Sequence, residues 1–372
     1  MYTTRVGGYK LGNIKKSILI IILTILINVI FITGCNSNIN NNTIESENTK
    51  VVVDSIGREV TIPIEVKTVA TLYAYTGHVT TLLGQEDKII GIVNGLRKDM
   101  LMREKIEDID DISIPFVSGS INIEELIKIK PDVIFVRNST ASNKGEVEKL
   151  KKANIPYLVI DYKNIKEQKK SIEILGEVFN KQDKANEYIK FYEETINMVQ
   201  NRLSSLKSED KKRVYHSVNA AVRTDSKGSI QDEITDLAGV INVSVGSNLI
   251  VSKDETNATL EQIYSWKPEA IIANEYDTIN YILNDKKWEG LEAVKNEEIY
   301  TLPVGISRWA HPGSIETPMA VLYIANLFYP EYFEDIDMIQ FIKDYYKKNF
   351  DLELTNKDIE QILSGKGMRL QK

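Results

Sequence analysis

The 372-residue sequence holds one cysteine, Cys35, and three histidines, His78, His216 and His311. A lone cysteine excludes an intrachain disulfide framework and a thiolate metal cluster. The histidines form no H-x3-H pair and sit in no His-rich loop, so a receptor for bare zinc or manganese is the weaker alternative. Catalytic signatures are missing as well. There is no G-x-S-x-G elbow, no H-E-x-x-H, no P-loop and no G-x-G-x-x-G. Carboxylates are plentiful, but no motif pairs them. A surface hydrolase therefore has only their abundance behind it, and no enzyme is expected. Positive charge is also in deficit, with 46 Lys and Arg against 53 Asp and Glu. A field of that sign disfavours nucleic acid as a partner.

What is present begins with an address. Arg5, Lys10, Lys15 and Lys16 precede an apolar run, SILIIILTILINVIFIT at 17–33, followed by Gly34-Cys35. A charged start, an apolar stretch and a small-residue cleavage site describe a secretory signal. Ending on Gly34-Cys35, it resembles the bacterial lipobox. The expectation is a signal and lipobox over 1–35, lipidation at Cys35 and membrane anchoring on the extracytoplasmic side. An uncleaved transmembrane anchor is the other reading of a run that length. The Asn-rich segment 36–50 offers almost nothing to bury and reads as a flexible tether. Residues 1–34 hold four Lys or Arg and no acid, so their removal takes the formal charge from −7 to −11.

Short apolar runs then alternate with helical patterns, the signature of parallel α/β architecture. VVVDSIGREVTIP at 51–63 reads as a hairpin turning at Ile56-Gly57. Strands are expected at 69–72, 89–93, 132–136 and 157–160, and a second series at 213–218, 241–244, 270–273 and 299–302. Helical patterns are read at 80–92 and, as a shorter echo, at 235–244. Between the series, one helix is expected over 165–179. A longer one, 183–206, has Ala185, Tyr188, Ile189, Tyr192, Ile196, Val199 and Leu203 on one face. The fold class that follows is α/β, two Rossmann-like lobes connected by a single long α-helix. Its divisions are an N-terminal lobe at 51–180, the connecting helix at 181–208, a C-terminal lobe at 209–350 and a tail at 351–372.

One segment is said twice. NIEELIKIKPDVIF at 122–135 and TLEQIYSWKPEAII at 259–272 share Glu124/Glu261, Lys130/Lys267, Pro131/Pro268 and Ile134/Ile271. Asn122 and Thr259 are N-cap residues with Glu125 and Gln262 as capping-box partners. Pro131 and Pro268 end each short helix. Glu124 and Glu261 then lie exposed in a first helical turn, where the helix dipole alone favours an acid by a few tenths to about 1 kcal/mol.

In order and spacing, these pieces resemble the substrate-binding lipoproteins of ABC importers. The likeness is to the class whose two lobes are joined by one long helix and which serves ferric siderophores, haem and cobalamin. The resemblance covers residues 50–345 and rests on DSIGREVTIP at 54–63, the duplicated E-x6-P elements, GSIQDEITDLAGV at 228–240 and WAHPGSIETP at 309–318. It implies a monomer that holds no cofactor of its own and captures a small-molecule metal chelate between its lobes. The ligand implied is an iron(III) complex of siderophore type, haem or a corrinoid. An oxyanion such as molybdate or tungstate is the alternative on the same scaffold. The implied partners are an ABC permease with its ATPase, met through Glu124 and Glu261, and the bilayer through Cys35. An adhesin or sensor of this fold would bind no small ligand.

In open α/β lobes, ligands sit beyond the carboxyl ends of the strands. That rule selects Tyr73, Tyr75 and His78 after the first strand, Arg137 after 132–136, Arg223 after 213–218, and Arg308 and Trp309 after 299–302, with Arg97 as a further cation. Converging guanidinium groups on an acidic chain point to an anionic ligand. Tyr73, Tyr75 and Trp309 are candidates for flat contact with a chelate. His78 is read either as an iron ligand or as a hydrogen-bonding residue. His216 is expected inside a strand, and His311, before Pro312-Gly313, is expected to fix a turn.

Overall fold

Apolar runs of three to five residues form the centres of two parallel sheets. The computed structural model describes residues 48–252, 255–366 and 368–370. Cys35, the lipobox and all but the last residues of the tether lie outside them. Among the described residues, no helix is long and apolar enough to cross a membrane.

A hairpin, β1 (Thr49–Val53) and β2 (Glu59–Pro63), opens the fold and turns at Gly57, whose φ of 81° suits glycine. The N-terminal sheet contains β3 (Val69–Thr71), β4 (Ile89–Val93), β5 (Ser113–Val117), β6 (Ser120–Ile121), β7 (Val133–Val136) and β8 (Tyr157–Val159). They lie in the order β6-β5-β4-β3-β7-β8, and only β5 and β6 pair antiparallel. The C-terminal sheet contains β9 (Arg213–Ser217), β10 (Ile241–Asn242), β13 (Ala270–Ala273) and β14 (Ile299–Thr301), all parallel, in the order β10-β9-β13-β14. A separate hairpin joins β11 (Ile250–Ser252) to β12 (Glu255–Asn257).

The core β4-β3-β7-β8 therefore recurs as β10-β9-β13-β14. Every residue of β7 and β13 is buried. Helices cover both faces of such a sheet, which is why VIFV and AIIA show no polar alternation. Two sequence expectations need correction here. The segments 80–92 and 235–244 are not continuous helices. In each lobe a helix, Ala74–Leu82 or Ile230–Leu237, stops before a left-handed glycine, Gly84 or Gly239, and a strand follows. The N–H groups of Gly84 and Gln85 bond back to Thr81 and Thr80, and those of Gly239 and Val240 bond to Asp236 and Thr235. This is the paired termination that glycine permits.

Ile165–Phe179 ends at Asn180 in the left-handed region, and the connector Gln182–Arg202 runs back against it. At 1.5 Å per residue the connector is about 31 Å long. It buries Ala185, Tyr188, Tyr192, Ile196 and Val199 between Ile165–Phe179 and the C-terminal helix Thr317–Phe328. Polar contacts add to this seam. Tyr188 donates to the Ile315 carbonyl (2.5 Å), Gln168 to the Ser314 carbonyl (2.8 Å), and the Ile165 N–H to Glu233 (2.7 Å).

The tail is also built into the molecule. Leu354, Ile359 and Ile362 are buried, and the Val304 N–H donates to the Ile362 carbonyl at 3.0 Å. Beyond it the chain returns to the N-terminal lobe. There the Met100 N–H bonds the Met368 carbonyl (3.0 Å) and the Leu370 N–H bonds the Lys98 carbonyl (2.9 Å).

Candidate ligand cleft

Loops at the carboxyl ends of the two sheets face each other. From the N-terminal lobe, β7 ends at Val136 and presents Arg137, whose guanidinium lies 4.7 Å from the centre of the Tyr73 ring. From the C-terminal lobe, the turn after β9 presents Arg223, whose Nη1 donates to Glu255 at 2.9 Å. Arg137 and Arg223 line one cavity of about 320 Å³, together with Tyr162, Lys227, Pro312 and the start of the helix Ile230–Leu237 at Ser229. That helix N-terminus adds donors that favour an anion.

Arg308 lies in the loop that carries Pro312, but does not itself line this cavity. Its Nη1 donates to Asn219 Oδ1 (2.7 Å) and pairs with Glu275, and its Nη2 lies 2.7 Å from His311 Nε2. Burial lowers the pKa of Arg308, and Glu275 opposes that shift. His311 is held well below the usual imidazole range, first by burial and then by Arg308, Arg369, Arg223 and Arg137. Four guanidinium groups therefore act on one side chain of the cleft. A second cavity of about 510 Å³ is lined by Glu275, with Lys98, Asn219, Tyr276, Lys366 and Arg369.

The loop carrying Arg308 is shaped from below. Glu316, wholly buried, accepts from the N–H groups of Ile306 (3.1 Å) and Ser307 (2.6 Å), from the Ser307 hydroxyl (2.6 Å) and from Tyr346. Desolvation raises its pKa and those hydrogen bonds pull it back. Gly305 has no room for a side chain, since a Cβ there would meet Tyr346 and Glu316. Ala310 takes a φ of 53° so that Trp309 turns inward.

The structure moves three expected cleft residues into the core. YAYTGH is the start of a helix, not a loop, and residues 75–82 are all buried. Tyr75 is fully buried, its hydroxyl 2.8 Å from Ser171 Oγ. His78 points inward to Asp99, Nε2 to Oδ2 3.1 Å, and Asp99 also pairs with Arg369. Trp309 is fully buried, edge-on to Tyr323 at 5.9 Å. Tyr75 and Trp309 bury mostly apolar surface, and His78 is held through Nε2 by Asp99. Arg97 lines neither cavity and donates to the Ile112 carbonyl. His216 lies in β9, fully buried, with Nδ1 2.7 Å from Asp225. Residues that the sequence reading passed over are Glu316 and Arg369. His311 accepts the Gly313 N–H on Nδ1 at 3.0 Å, which is the expected turn contact. Among the described residues no group of three or more His, Cys, Asp or Glu is arranged to hold a metal ion.

The duplicated segments occupy matching places, immediately before β7 and β13. Ile123–Ile129 starts on Asn122 and Leu260–Trp266 starts on Thr259. The Thr259–Gln262 capping box is complete. Asn122 caps alone, because Glu125 accepts the Ser113 hydroxyl instead (3.0 Å). Lys130 and Lys267 close the helices at φ 45° and 48°, a conformation open to a residue whose right-handed region the next proline disfavours. Glu124 and Glu261 are exposed. Hydrogen bonds from its own backbone N–H and the Thr259 hydroxyl hold the Glu261 carboxyl below the usual range.

Comparison with known proteins agrees with this geometry. The family model described as periplasmic binding protein matches residues 69–304. The chain is similar to the molybdate-binding protein MolA of Haemophilus influenzae, 24% identical over 323 residues, covering 80% of this chain and 90% of that protein. The solved structure of MolA bound to molybdate superposes with a TM-score of 0.72 over 82% of this chain and 99% of the other, at 22% identity. An uncharacterized ABC transporter substrate-binding lipoprotein of Bacillus subtilis, YvrC, is 25% identical over 291 residues, covering 76% of this chain and 86% of that protein. Helicobacter pylori CeuE, solved with Ni(II) bound, is 25% identical with a TM-score of 0.69, covering 84% of this chain and 99% of that one.

Proposed function

The chain belongs to the periplasmic binding protein family, and on that premise we propose that it is the extracytoplasmic receptor of an ABC importer for an anionic metal complex. The carrying observation is that Arg137 and Arg223 come from opposite lobes and face one cavity. Guanidinium forks match carboxylate, catecholate and metal-oxo oxygens, and a ligand gripped from both sides ties the lobes together. The proposed cargo is an iron(III) chelate with anionic oxygens at its rim. A cavity of about 320 Å³ suits a compact one. With Tyr75 and Trp309 in the core, the contacts offered are more ionic than stacking, which favours such a chelate over a broad macrocycle such as haem or a corrinoid.

A second reading, a molybdate or tungstate oxyanion, has its own support in the likeness to MolA and in the small arginine-lined cavity. Glu124 and Glu261 are the proposed contacts to the permease, one on each lobe, acting as a bivalent pair. Cys35 is the proposed lipid anchor. The sequence SILIIILTILINVIFIT-Gly-Cys supports it, as does the likeness to a lipoprotein.

The test is a thermal-shift panel on the full chain in detergent, with ferric citrate, ferric catecholate, ferric hydroxamate, haem, cobalamin, molybdate, tungstate, Zn²⁺ and Mn²⁺. A ligand at about 1,000 times its Kd adds about 4 kcal/mol, a shift of several degrees. Stabilisation by ferric chelates supports the first reading and stabilisation by oxyanions alone the second. A response to bare Zn²⁺ or Mn²⁺ only contradicts both.

A further inference from the structure

Arg223 meets the cavity already paired. It lines that cavity from the C-terminal lobe, as Arg137 does from the N-terminal lobe. Its Nη1 donates to Oε1 of Glu255, the first residue of β12, at 2.9 Å. The two side chains differ in surroundings. That of Arg223 is 22% exposed and that of Glu255 55%, and Glu255 itself does not line the cavity.

The ion pair is not what places Arg223. Backbone hydrogen bonds do so, on both sides of it. The Arg223 N–H donates to the Ala220 carbonyl (2.9 Å), and the Val218 N–H donates to the Arg223 carbonyl (2.8 Å). The neighbouring residues are clamped to β12 and its exit. The Thr224 N–H donates to the Thr256 carbonyl (2.9 Å) and the Ala258 N–H to the Val222 carbonyl (2.8 Å). With the backbone fixed in this way, what Glu255 adds is negative charge beside a cation of the cavity. An ion pair this exposed is weak. An incoming anion can replace it, and the released carboxylate has water to move into.

We propose that Glu255 is an internal counter-ion of Arg223 that the anionic group of the ligand displaces on binding and that returns when the ligand leaves. Being joined to the chain beside Arg223, the carboxylate competes at a high effective concentration. It therefore lowers the affinity of the site and eases release, which a receptor that hands on its cargo needs. This makes Glu255 a residue that sets affinity without itself holding the ligand. The proposal rests on the anionic-ligand reading above and adds the competitor built into that site.

The test uses the full chain in detergent, with molybdate and ferric citrate as probes, and reads affinity by calorimetry. Glu255→Gln keeps the shape of the side chain and removes its charge. A probe bound by the wild type is expected to be held about two- to fivefold more tightly by this variant, the equilibrium equivalent of an exposed pair. The gain is expected to shrink at high salt, where exposed charges are screened. Loss of a merely structural contact would weaken binding instead. Glu292, an exposed acid paired with Lys295 on the same lobe, lines neither cavity. Glu292→Gln makes the same change of net charge and is expected to leave affinity unchanged. If the wild type binds a probe but Glu255→Gln binds it no more tightly, or Glu292→Gln gains as much, the counter-ion role is overturned and the receptor reading survives. If the wild type binds neither probe, both are overturned.

Discussion

Glu316 accepts both the backbone N–H and the hydroxyl of Ser307, each at 2.6 Å, one residue before Arg308. A wholly buried carboxylate thus fixes the backbone from which a cleft cation is presented. Glu316→Ala leaves the Ile306 and Ser307 N–H groups, the Ser307 hydroxyl and the Tyr346 hydroxyl short of an acceptor. The expected cost is about 3 kcal/mol, because stranded buried donors cost about 1–3 kcal/mol each and relaxation recovers part. Glu316→Gln keeps one acceptor oxygen but turns an amide NH2 toward the donors of the other, so it is expected to destabilise less than Glu316→Ala. Urea unfolding of the two variants measures the difference, and equal losses would contradict the assignment.

His311 gives the molecule a pH dependence whose sign follows from its environment. Its folded pKa is depressed by burial and by the neighbouring guanidinium groups, so below about pH 6.5 the unfolded chain binds a proton that the folded chain does not. Its contribution to stability is present above pH 6.5 and is lost as pH falls toward the folded value, by about 1 kcal/mol per pH unit. The difference in unfolding free energy between wild type and His311→Gln is expected to change over pH 6.5 to 5 and to stay constant above pH 7. A flat difference throughout would show that His311 titrates normally.

Glu124 and Glu261 stand on matching helices of the two lobes, outside the cleft. Glu124→Ala with Glu261→Ala is expected to leave ligand affinity within about twofold and to lower uptake by intact cells several-fold, since the paired contacts act bivalently. Normal transport by the double variant would remove these residues from the permease interface.

Arg369 pairs with Asp99, a buried carboxylate of the opposite lobe, and so secures the returning tail. Arg369→Ala leaves Asp99 with His78 as its remaining side-chain hydrogen-bond partner. Arg369 is itself a quarter exposed, so the expected loss is about 2 kcal/mol rather than the larger cost of a fully buried pair. Lys366→Ala, which removes an exposed cation 3.6 Å from the centre of the Tyr276 ring, is expected to cost less than about 1 kcal/mol. Calorimetric melting of the two variants compares them directly.

Much of the scaffold was legible because local physics dictates it. Strands buried on both faces write themselves as VIFV and AIIA. Asn122, Thr259 and the two Lys-Pro pairs mark helix ends by capping and by proline sterics. The connector showed its buried face as a three-and-four periodicity. What stayed hidden depends on distance in the chain. Arg369 meets Asp99 across 270 residues, and nothing near either one announces it. Glu316 reads as one acid among many until the fold brings it under Ser307. Tyr75, His78 and Trp309 were misplaced for a related reason. The strand-end rule selects a loop, but whether a side chain there faces the cleft or the core depends on the next turn of backbone. At Tyr75 and His78 that turn is a helix, and at Trp309 it is the left-handed Ala310.

The most direct test of the account is calorimetric titration of the full chain in detergent with ferric citrate and with molybdate, for the wild type and for Arg137→Gln with Arg223→Gln. The account predicts saturable one-to-one binding of at least one of these anions by the wild type, weakened at least a hundredfold in the double variant with folding intact. Equal affinity in the two proteins would place the ligand elsewhere and contradict an anion held between the lobes.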